Sequence, residues 1–294
     1  MLGIDKGVFF IFLSTLFSAI TGVATKILGD DMTALEIVFF RNFFGLILIL
    51  ITLKHTPSTA IGGKPHLLLL RGVFGFIAVL LFFYTITSIP LGEAITLNKT
   101  SPLFIAILAF FVLNEKLSKK GIFALLLGFL GVALITKPLG LSIGLDHFLG
   151  LLGGFLAAAA YTTIRRIKDI YDSRDIVLSF MVVGAVAPIL LFISAYFYVP
   201  QSLEFIISPF TMPTSYKVWG LLFVVGITAT ISQWLLTVAF TNTNAGIVGI
   251  VSYTSIPFAI FFGTLLGDEI PDIFVFIGIG LIVFSGLMVK NAKA

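Results

Sequence analysis

A lysine, Lys99, lies inside an apolar stretch that runs from Leu91 to Phe111 and reads LGEAITLNKTSPLFIAILAFF. Glu93 and Asn98 share this stretch, and Pro102 follows Lys99 closely. A charged side chain at the centre of a membrane helix costs at least ~2.5 kcal/mol, so it persists where it faces a protein interior or a wet cavity. An ammonium group in such a cavity can bind a solute, which makes Lys99 the first candidate binding residue.

A second basic residue, Arg41, is predicted at a similar depth. At about 1.5 Å per helical residue, Lys99 lies roughly 12 Å from Leu91, the predicted outer end of its helix. Arg41 lies roughly 10 Å from Ala34, the predicted outer end of its own helix. The two cations are therefore expected near one level, slightly outside the middle of the membrane.

Two interpretations of these cations remain open. Lys99 and Arg41 either line a cavity, or they form ion pairs with Glu36 or Glu93 that hold helices together. Glu93 has a further explanation, since an acidic residue near a helix N-terminus is favoured by the helix dipole. Glu36 and Glu93 are also the acids available for proton coupling.

Two prolines predict kinks at equivalent points of the chain. A proline inside a helix removes a backbone hydrogen bond and pushes away the carbonyl four residues earlier. That carbonyl belongs to Asn98 for Pro102 and to Tyr253 for Pro257. A freed carbonyl inside a membrane needs a new partner, which can be a side chain, a water molecule or a substrate.

Uncharged polar and aromatic side chains complete the candidate binding set. Gln233 and Trp234 lie deep in one apolar run, and an amide beside an indole suits a planar or amphipathic ligand. Packing in the bundle is the alternative for each such residue. The remaining candidates in this group are Asn42, Tyr84, Tyr161, Tyr253 and Ser255.

These residues must be positioned by membrane helices. Of the 294 residues, 59% are hydrophobic and 11% are charged, whereas about 25% are charged in a typical soluble domain. Ten apolar runs of helical composition predict an all-α integral membrane protein with ten transmembrane helices. The runs cover residues 7–28, 34–53, 67–89, 91–113, 120–136, 148–167, 176–199, 217–241, 245–266 and 270–289. The first is interpreted as a membrane helix and not as a signal peptide, because its apolar region exceeds the ~7–15 residues of a signal peptide.

The distribution of basic residues predicts the orientation. With the N-terminus in the cytoplasm, the outer side holds only Lys26, Lys137 and Lys217. The inner side holds Lys6, Lys54, Lys64, Arg71, Lys116, Lys119, Lys120, Arg165, Arg166, Lys168, Arg174, Lys290 and Lys293. Cytoplasmic loops carry the excess of Lys and Arg. A multi-pass protein of the cytoplasmic (inner) membrane is therefore expected, with both termini in the cytoplasm.

The second half of the chain repeats features of the first. An offset of 154 residues aligns Thr100–Ser101 with Thr254–Ser255. Residues 1–140 and 141–294 are therefore predicted to form two repeats of five helices each. Because five is odd, the second repeat enters the membrane from the opposite side, as in the inverted repeats of many secondary transporters.

The ends of the two repeats resemble those of EamA-type transporters of the drug/metabolite transporter superfamily. Each fourth helix ends near an acidic residue and is followed by a glycine-spaced fifth helix, in the segments FFVLNEKLSKKGIFALLLGFLGVALITKP and TLLGDEIPDIFVFIGIGLIVFSGLMVKN. The resemblance implies a carrier whose central cavity is lined by helices such as the third, fourth, eighth and ninth. In related carriers the glycine-spaced helices can pair protomers, which leaves a homodimer open.

A secondary transporter working by alternating access is the expected function, with a small anionic or zwitterionic metabolite such as an amino acid as substrate. The expected partners are this solute and the lipid bilayer, without nucleic acid. A larger planar metabolite, such as a vitamin or a nucleoside-like compound held by Trp234 and Tyr253, is the alternative. A channel or an intramembrane enzyme is more distant. All three His lie in predicted connections, so an enzyme activity, a metal and a cofactor are not expected.

Overall fold

The computed structural model describes residues 6–58, 61–113, 119–136, 144–242, 248, 251–252 and 254–290. Within these residues the secondary structure is helical, without strands. The helices are α1 Lys6–Leu28, α2 Ala34–His55, α3 Pro65–Ser88, α4 Leu91–Asn98, α5 Ser101–Leu113, α6 Lys119–Thr136, α7 Leu145–Ile167, α8 Ser173–Phe197, α9 Tyr216–Asn242, α10 Ser255–Leu265 and α11 Ile273–Lys290.

Local capping residues explain where several helices begin. The Thr33 backbone N–H donates to Glu36 Oε2 at 2.9 Å, and the Glu36 backbone N–H donates to Thr33 Oγ1 at 3.4 Å, so α2 starts with a capping box. The Asp172 side chain accepts from the Arg174 N–H at 2.8 Å ahead of α8. Pro65 is the first residue of α3, a position where its missing N–H has no helical partner.

Six helices are long enough and apolar enough to cross a membrane: α1, α2, α3, α7, α8 and α9. Helices α4 and α5 together cover the predicted fourth span, and α10 and α11 are shorter apolar helices. The chain is therefore an all-helical multi-pass membrane protein. The count of ten spans stays a prediction.

The bundle has two ends, which we name after one residue at each. The Lys26 end holds the connections 29–33, 89–90, 198–215 and 266–272. The Arg174 end holds the described parts of the connections 56–64 and 168–172. Hydrogen bonds join the connections at each end, for example from the Thr211 N–H to Glu36 at 2.8 Å and from the Gly62 N–H to Ile170 O at 3.0 Å.

The two repeats are inverted relative to each other. Helix α1 finishes at the Lys26 end, whereas α7, the first helix of the second repeat, starts there with Asp146 and His147 in its first turn. The packing shows the same relation, because α1 packs on α9 and α3 packs on α7. Helices α1 and α3 are the first and third of one repeat, and α7 and α9 are the first and third of the other. Exchanging the repeats therefore converts the α1–α9 contact into the α7–α3 contact.

Both fourth helices of the repeats are interrupted at equivalent points. Helix α4 ends before Lys99, and α5 begins after Thr100. In the second repeat Val251 and Ser252 are helical, Thr254 forms a turn, and α10 begins at the next residue. The predicted kinks are therefore breaks, since Pro102 and Pro257 lie in the first turn of a new helix. A proline there loses only an N–H that would have no helical partner.

Two apolar clusters fill the two halves of the bundle. One includes Leu28, Ile86 and Leu91 near the Lys26 end. The other includes Ile164 and Ile167 near the Arg174 end. Residues of both clusters also line the candidate site, for example Ile86 of the first and Ile11 of the second.

Candidate functional site

A cavity in the middle of the bundle is lined by both repeats. Residues of α1, α2, α3, α4, α7, α8 and α9 contribute to its wall, together with Lys99 at the break after α4. Of the four spans that the family resemblance implied, the third, fourth and eighth line it, whereas no described residue of the ninth does. Its volume is about 100 Å³, whereas one water molecule needs roughly 10–15 Å³ of such space. The cavity therefore has room for several water molecules.

Three basic side chains line this cavity: Arg41, Arg71 and Lys99. The sequence predicted two of them at membrane depth and assigned Arg71 to the cytoplasmic surface. That assignment is wrong, because Arg71 is only 1% exposed. Helix α3 begins at Pro65, two residues earlier than predicted, which places Arg71 roughly 9 Å along the helix.

The two arginines share one aromatic ring. The guanidinium carbons of Arg41 and Arg71 each lie 4.9 Å from the centre of the Phe180 ring, a distance at which cation–π attraction acts. Gly75 leaves the space for this packing, since a Cβ there would meet the Arg71 side chain and lie 2.7 Å from the Phe180 ring. Because both guanidinium carbons lie 4.9 Å from the same ring centre, the distance between them is at most twice that value.

The arginines have few hydrogen-bond acceptors around them. Arg41 Nη1 donates to Asn42 Oδ1 at 2.9 Å, and Asn42 Nδ2 donates to Val38 O at 2.8 Å. Asn42 therefore holds the Arg41 side chain in position through this hydrogen bond, and it is not part of the cavity wall. The Nε and Nη1 atoms of Arg71 are buried without an acceptor in the described part of the chain.

The two candidate acids do not pair with these cations. Glu36 Oε1 accepts hydrogen bonds from the Thr211 N–H at 2.8 Å and from the Thr211 hydroxyl at 2.6 Å. Glu93 lies 3.5 Å from His147 Nε2. Both acids lie at the Lys26 end, and no described carboxylate lies within 4.0 Å of Lys99 Nζ. Of the two interpretations left open by the sequence, the ion pairs of Lys99 and Arg41 with Glu36 or Glu93 do not occur among the described residues.

The sequence pattern of the EamA-like transporter family matches residues 5–137 and, a second time, residues 145–290. This chain belongs to the EamA-like transporter family. Its chemistry is accordingly that of a membrane transporter and not of an enzyme. The two matches also agree with the two inverted repeats of the structure.

Individual relatives of this EamA-like chain are similar over nearly their whole length. An uncharacterized transporter of Helicobacter pylori strain ATCC 700392 / 26695 is 31% identical and covers 96% of this chain, which covers 94% of that protein. The pseudopaline exporter CntI of Pseudomonas aeruginosa strain UCBPP-PA14 is 29% identical, with 99% and 98% covered. A solved crystal structure superposes with a TM-score of 0.67 at 15% identity, covering 98% of this chain and 97% of its own, which shows a shared fold.

Three uncharged candidates line the cavity of this EamA-like transporter: Asn98, Tyr161 and Gln233. The Tyr161 ring stacks on Phe240 with centroids 4.8 Å apart and an interplanar angle of 21°. Gln233 is 8% exposed, and its Nε2 atom has no acceptor among the described residues. The amide therefore adds a further hydrogen-bond donor to the wall.

The other candidates lie elsewhere. Trp234 is 40% exposed and lies on the outer surface of the bundle. It directly follows Gln233, and consecutive helical residues point about 100° apart, so the two side chains do not face the same way. Tyr84 donates to Asp146 Oδ1 at 2.7 Å, and the Ser255 hydroxyl donates to the Ser252 carbonyl at 2.8 Å. None of these three is in the cavity wall. Tyr253 lies outside the described residues.

Sequence reasoning missed a row of hydroxyl groups along α1. Ser14, Ser18 and Thr21 line the cavity and follow the spacing of one helix face. The spacing of these three hydroxyl residues was the signal in the sequence that could have predicted them as cavity residues. The Ser14 hydroxyl donates to the Ser232 carbonyl at 2.8 Å, and the Ser232 hydroxyl donates to the Ser14 carbonyl at 2.9 Å. These bonds connect α1 of the first repeat to α9 of the second across the cavity wall.

Proposed function

We propose that this chain is a secondary transporter that moves a small organic anion or zwitterion across the cytoplasmic membrane by alternating access. The observation that carries the proposal is the central cavity, in which three basic side chains face open space without a described carboxylate. A charged group at this depth is expected where water or a solute reaches it.

The arrangement of the repeats supports alternating access. Inverted repeats can form an outward-open and an inward-open state of similar energy around one fixed site. At the Lys26 end, Lys26 Nζ lies 3.1 Å from Asp268 Oδ1, and the Leu91 N–H donates to Asp268 Oδ2 at 2.8 Å. These contacts join the two repeats. In the proposed cycle they break when the cavity opens at this end.

The orientation and the division of the chain are further parts of the proposal. The described basic residues outside the cavity are concentrated toward the Arg174 end, for example Lys54, Lys64, Arg166 and Lys168. The positive-inside rule then places this end and both termini on the cytoplasmic side. The repeats 1–140 and 141–294 agree with a boundary between the two family matches.

The relatives support transport of a small molecule without naming the substrate of this chain. The P. aeruginosa relative is named a pseudopaline exporter, and its similarity extends over nearly the full length. The alternative of a larger planar metabolite depended on Trp234 and Tyr253. Trp234 is directed away from the cavity, so that alternative would depend on other aromatic residues of the wall, such as Tyr161 and Phe180.

Counterflow in proteoliposomes tests the proposal. The purified protein is reconstituted, and flux of a radiolabelled solute is measured in both directions with unlabelled solute on the opposite side. Saturation and trans-stimulation are expected, because a carrier must return its site through the membrane. A linear, non-saturating flux indicates a channel and would contradict the proposal.

A further inference from the structure

The charge of the cavity is not balanced by the protein. Arg41, Arg71 and Lys99 line the same space, and its described wall contains neither Asp nor Glu. Removing a charge from water has an effective penalty of several kcal/mol when no partner compensates it. Like charges in one cavity also repel each other. The missing negative charge must come from solution.

The buried polar atoms of the wall that lack a described partner are hydrogen-bond donors. Arg71 Nε, Arg71 Nη1 and Gln233 Nε2 are buried without acceptors among the described residues. A carboxylate offers only acceptors and can bind a guanidinium group through two parallel hydrogen bonds. A substrate ammonium group would bring only donors. It would find hydroxyl and amide oxygens as acceptors, but three cations beside them and no described carboxylate to pair with.

The three cations enter the cavity from different elements. Arg41 and Arg71 share the Phe180 ring and come from α2 and α3. Lys99 comes from the break between α4 and α5. One carboxylate carries a single negative charge, so it leaves most of the charge of the three cations uncompensated.

We infer that the substrate is a small di- or tricarboxylate, with one carboxylate on the Arg41–Arg71 pair and another on Lys99. This inference rests on the proposed transport function and narrows its substrate class. An amino acid, which was the substrate expected from the sequence, fits less well because its ammonium group has no acidic partner in the described wall.

Binding to the purified full-length protein tests the inference. Thermal shift is measured with unbranched dicarboxylates of three to six carbons, with tricarballylate, and with five-carbon probes that differ in charge: glutarate, its mono-amide, pentanoate and glutamate. The best ligands are expected among the di- and tricarboxylates. Loss of one charge-assisted hydrogen bond should weaken binding of the mono-amide by about 10-fold or more relative to the matching dicarboxylate.

The variant Lys99→Met tests whether the second carboxylate of the ligand binds to Lys99. In Lys99→Met the advantage of the dicarboxylate over its mono-amide should fall to near parity, because the partner of the second carboxylate is gone. Lys168→Met removes an exposed lysine outside the cavity and should leave the advantage unchanged. An advantage that persists in Lys99→Met would overturn the assignment to Lys99.

Two results separate this inference from the transport proposal. If a monocarboxylate, zwitterion, phosphate ester or cation binds best and shows saturable counterflow, the chain is a transporter and the di- or tricarboxylate inference is wrong. If no solute of a broad metabolite library shows saturable counterflow, the transport proposal itself fails. Absence of binding by every di- and tricarboxylate also overturns the inference.

Discussion

Replacing Lys99 with methionine should separate binding from stability. Lys99 lines the cavity and has no described carboxylate within 4.0 Å of its ammonium group. The substitution therefore leaves no described acid without its partner. It also removes a cation whose placement in a membrane helix costs ~2.5–3.5 kcal/mol on insertion scales. Because the cavity has room for water, this range is an upper bound on the expected stabilisation.

The effect on transport should have the opposite sign. A hydrogen bond to a charged group contributes about 1.5–3 kcal/mol, so its loss should weaken substrate binding about 10- to 150-fold. The assay compares the melting temperature in detergent with the concentration dependence of counterflow. An unchanged or higher melting temperature together with weakened counterflow is expected for Lys99→Met.

A second lysine of the chain supplies the matched control. Lys26 Nζ lies 3.1 Å from Asp268 and donates to Ile89 O at 2.9 Å. Lys26→Met should lower the free energy of unfolding by about 1–3 kcal/mol, since it removes the cation beside the partly buried Asp268 carboxylate, which keeps the Leu91 N–H. If Lys99→Met destabilises the protein as much as Lys26→Met, then Lys99 has a fixed structural partner and our reasoning about the cavity is refuted.

Three further substitutions test other features of the structure. Trp234→Ala should leave the ranking of competing ligands unchanged, because the indole is 40% exposed outside the cavity; a changed ranking would place it in the site. Glu93→Gln should retain transport and its pH profile, since Glu93 faces His147 at the Lys26 end; loss of the pH dependence would make it the coupling acid. Gly131→Val should lower the melting temperature, because a Cβ there would lie 2.7 Å from the Gly278 carbonyl of the facing helix; an unchanged value would show that α6 and α11 can separate.

The fold was largely predictable because membrane helices are specified by local composition. Apolar runs separated by polar connections predict the helices, and an odd number of helices per repeat requires inversion. The structure adds two helix breaks, at Lys99 and at Thr254, which the sequence had predicted as kinks. Each proline was visible in the sequence, but whether a helix bends or stops depends on the turn before it.

The site was predictable only in part. Arg41 and Lys99 stood out because both lie far from any predicted helix end. Arg71 did not, because a shift of two residues in the start of α3 separates a surface arginine from a buried one. The partners of Glu36 and Glu93 could not be predicted either, since Thr211 lies in a connection and His147 in the first turn of α7, both far away in sequence.

The way in which the cavity holds its cations explains why they remain available to a ligand. The Phe180 ring attracts both guanidinium groups through its face and so occupies none of their hydrogen-bond donors. Lys99 caps the C-terminus of α4, where the helix dipole favours a cation by about 0.3–1 kcal/mol. A carboxylate partner would stabilise the same charges more strongly, but a substrate would then have to displace it. Aromatic and dipolar support lowers the penalty of burial and leaves the charge and its donors free, as reversible anion binding requires.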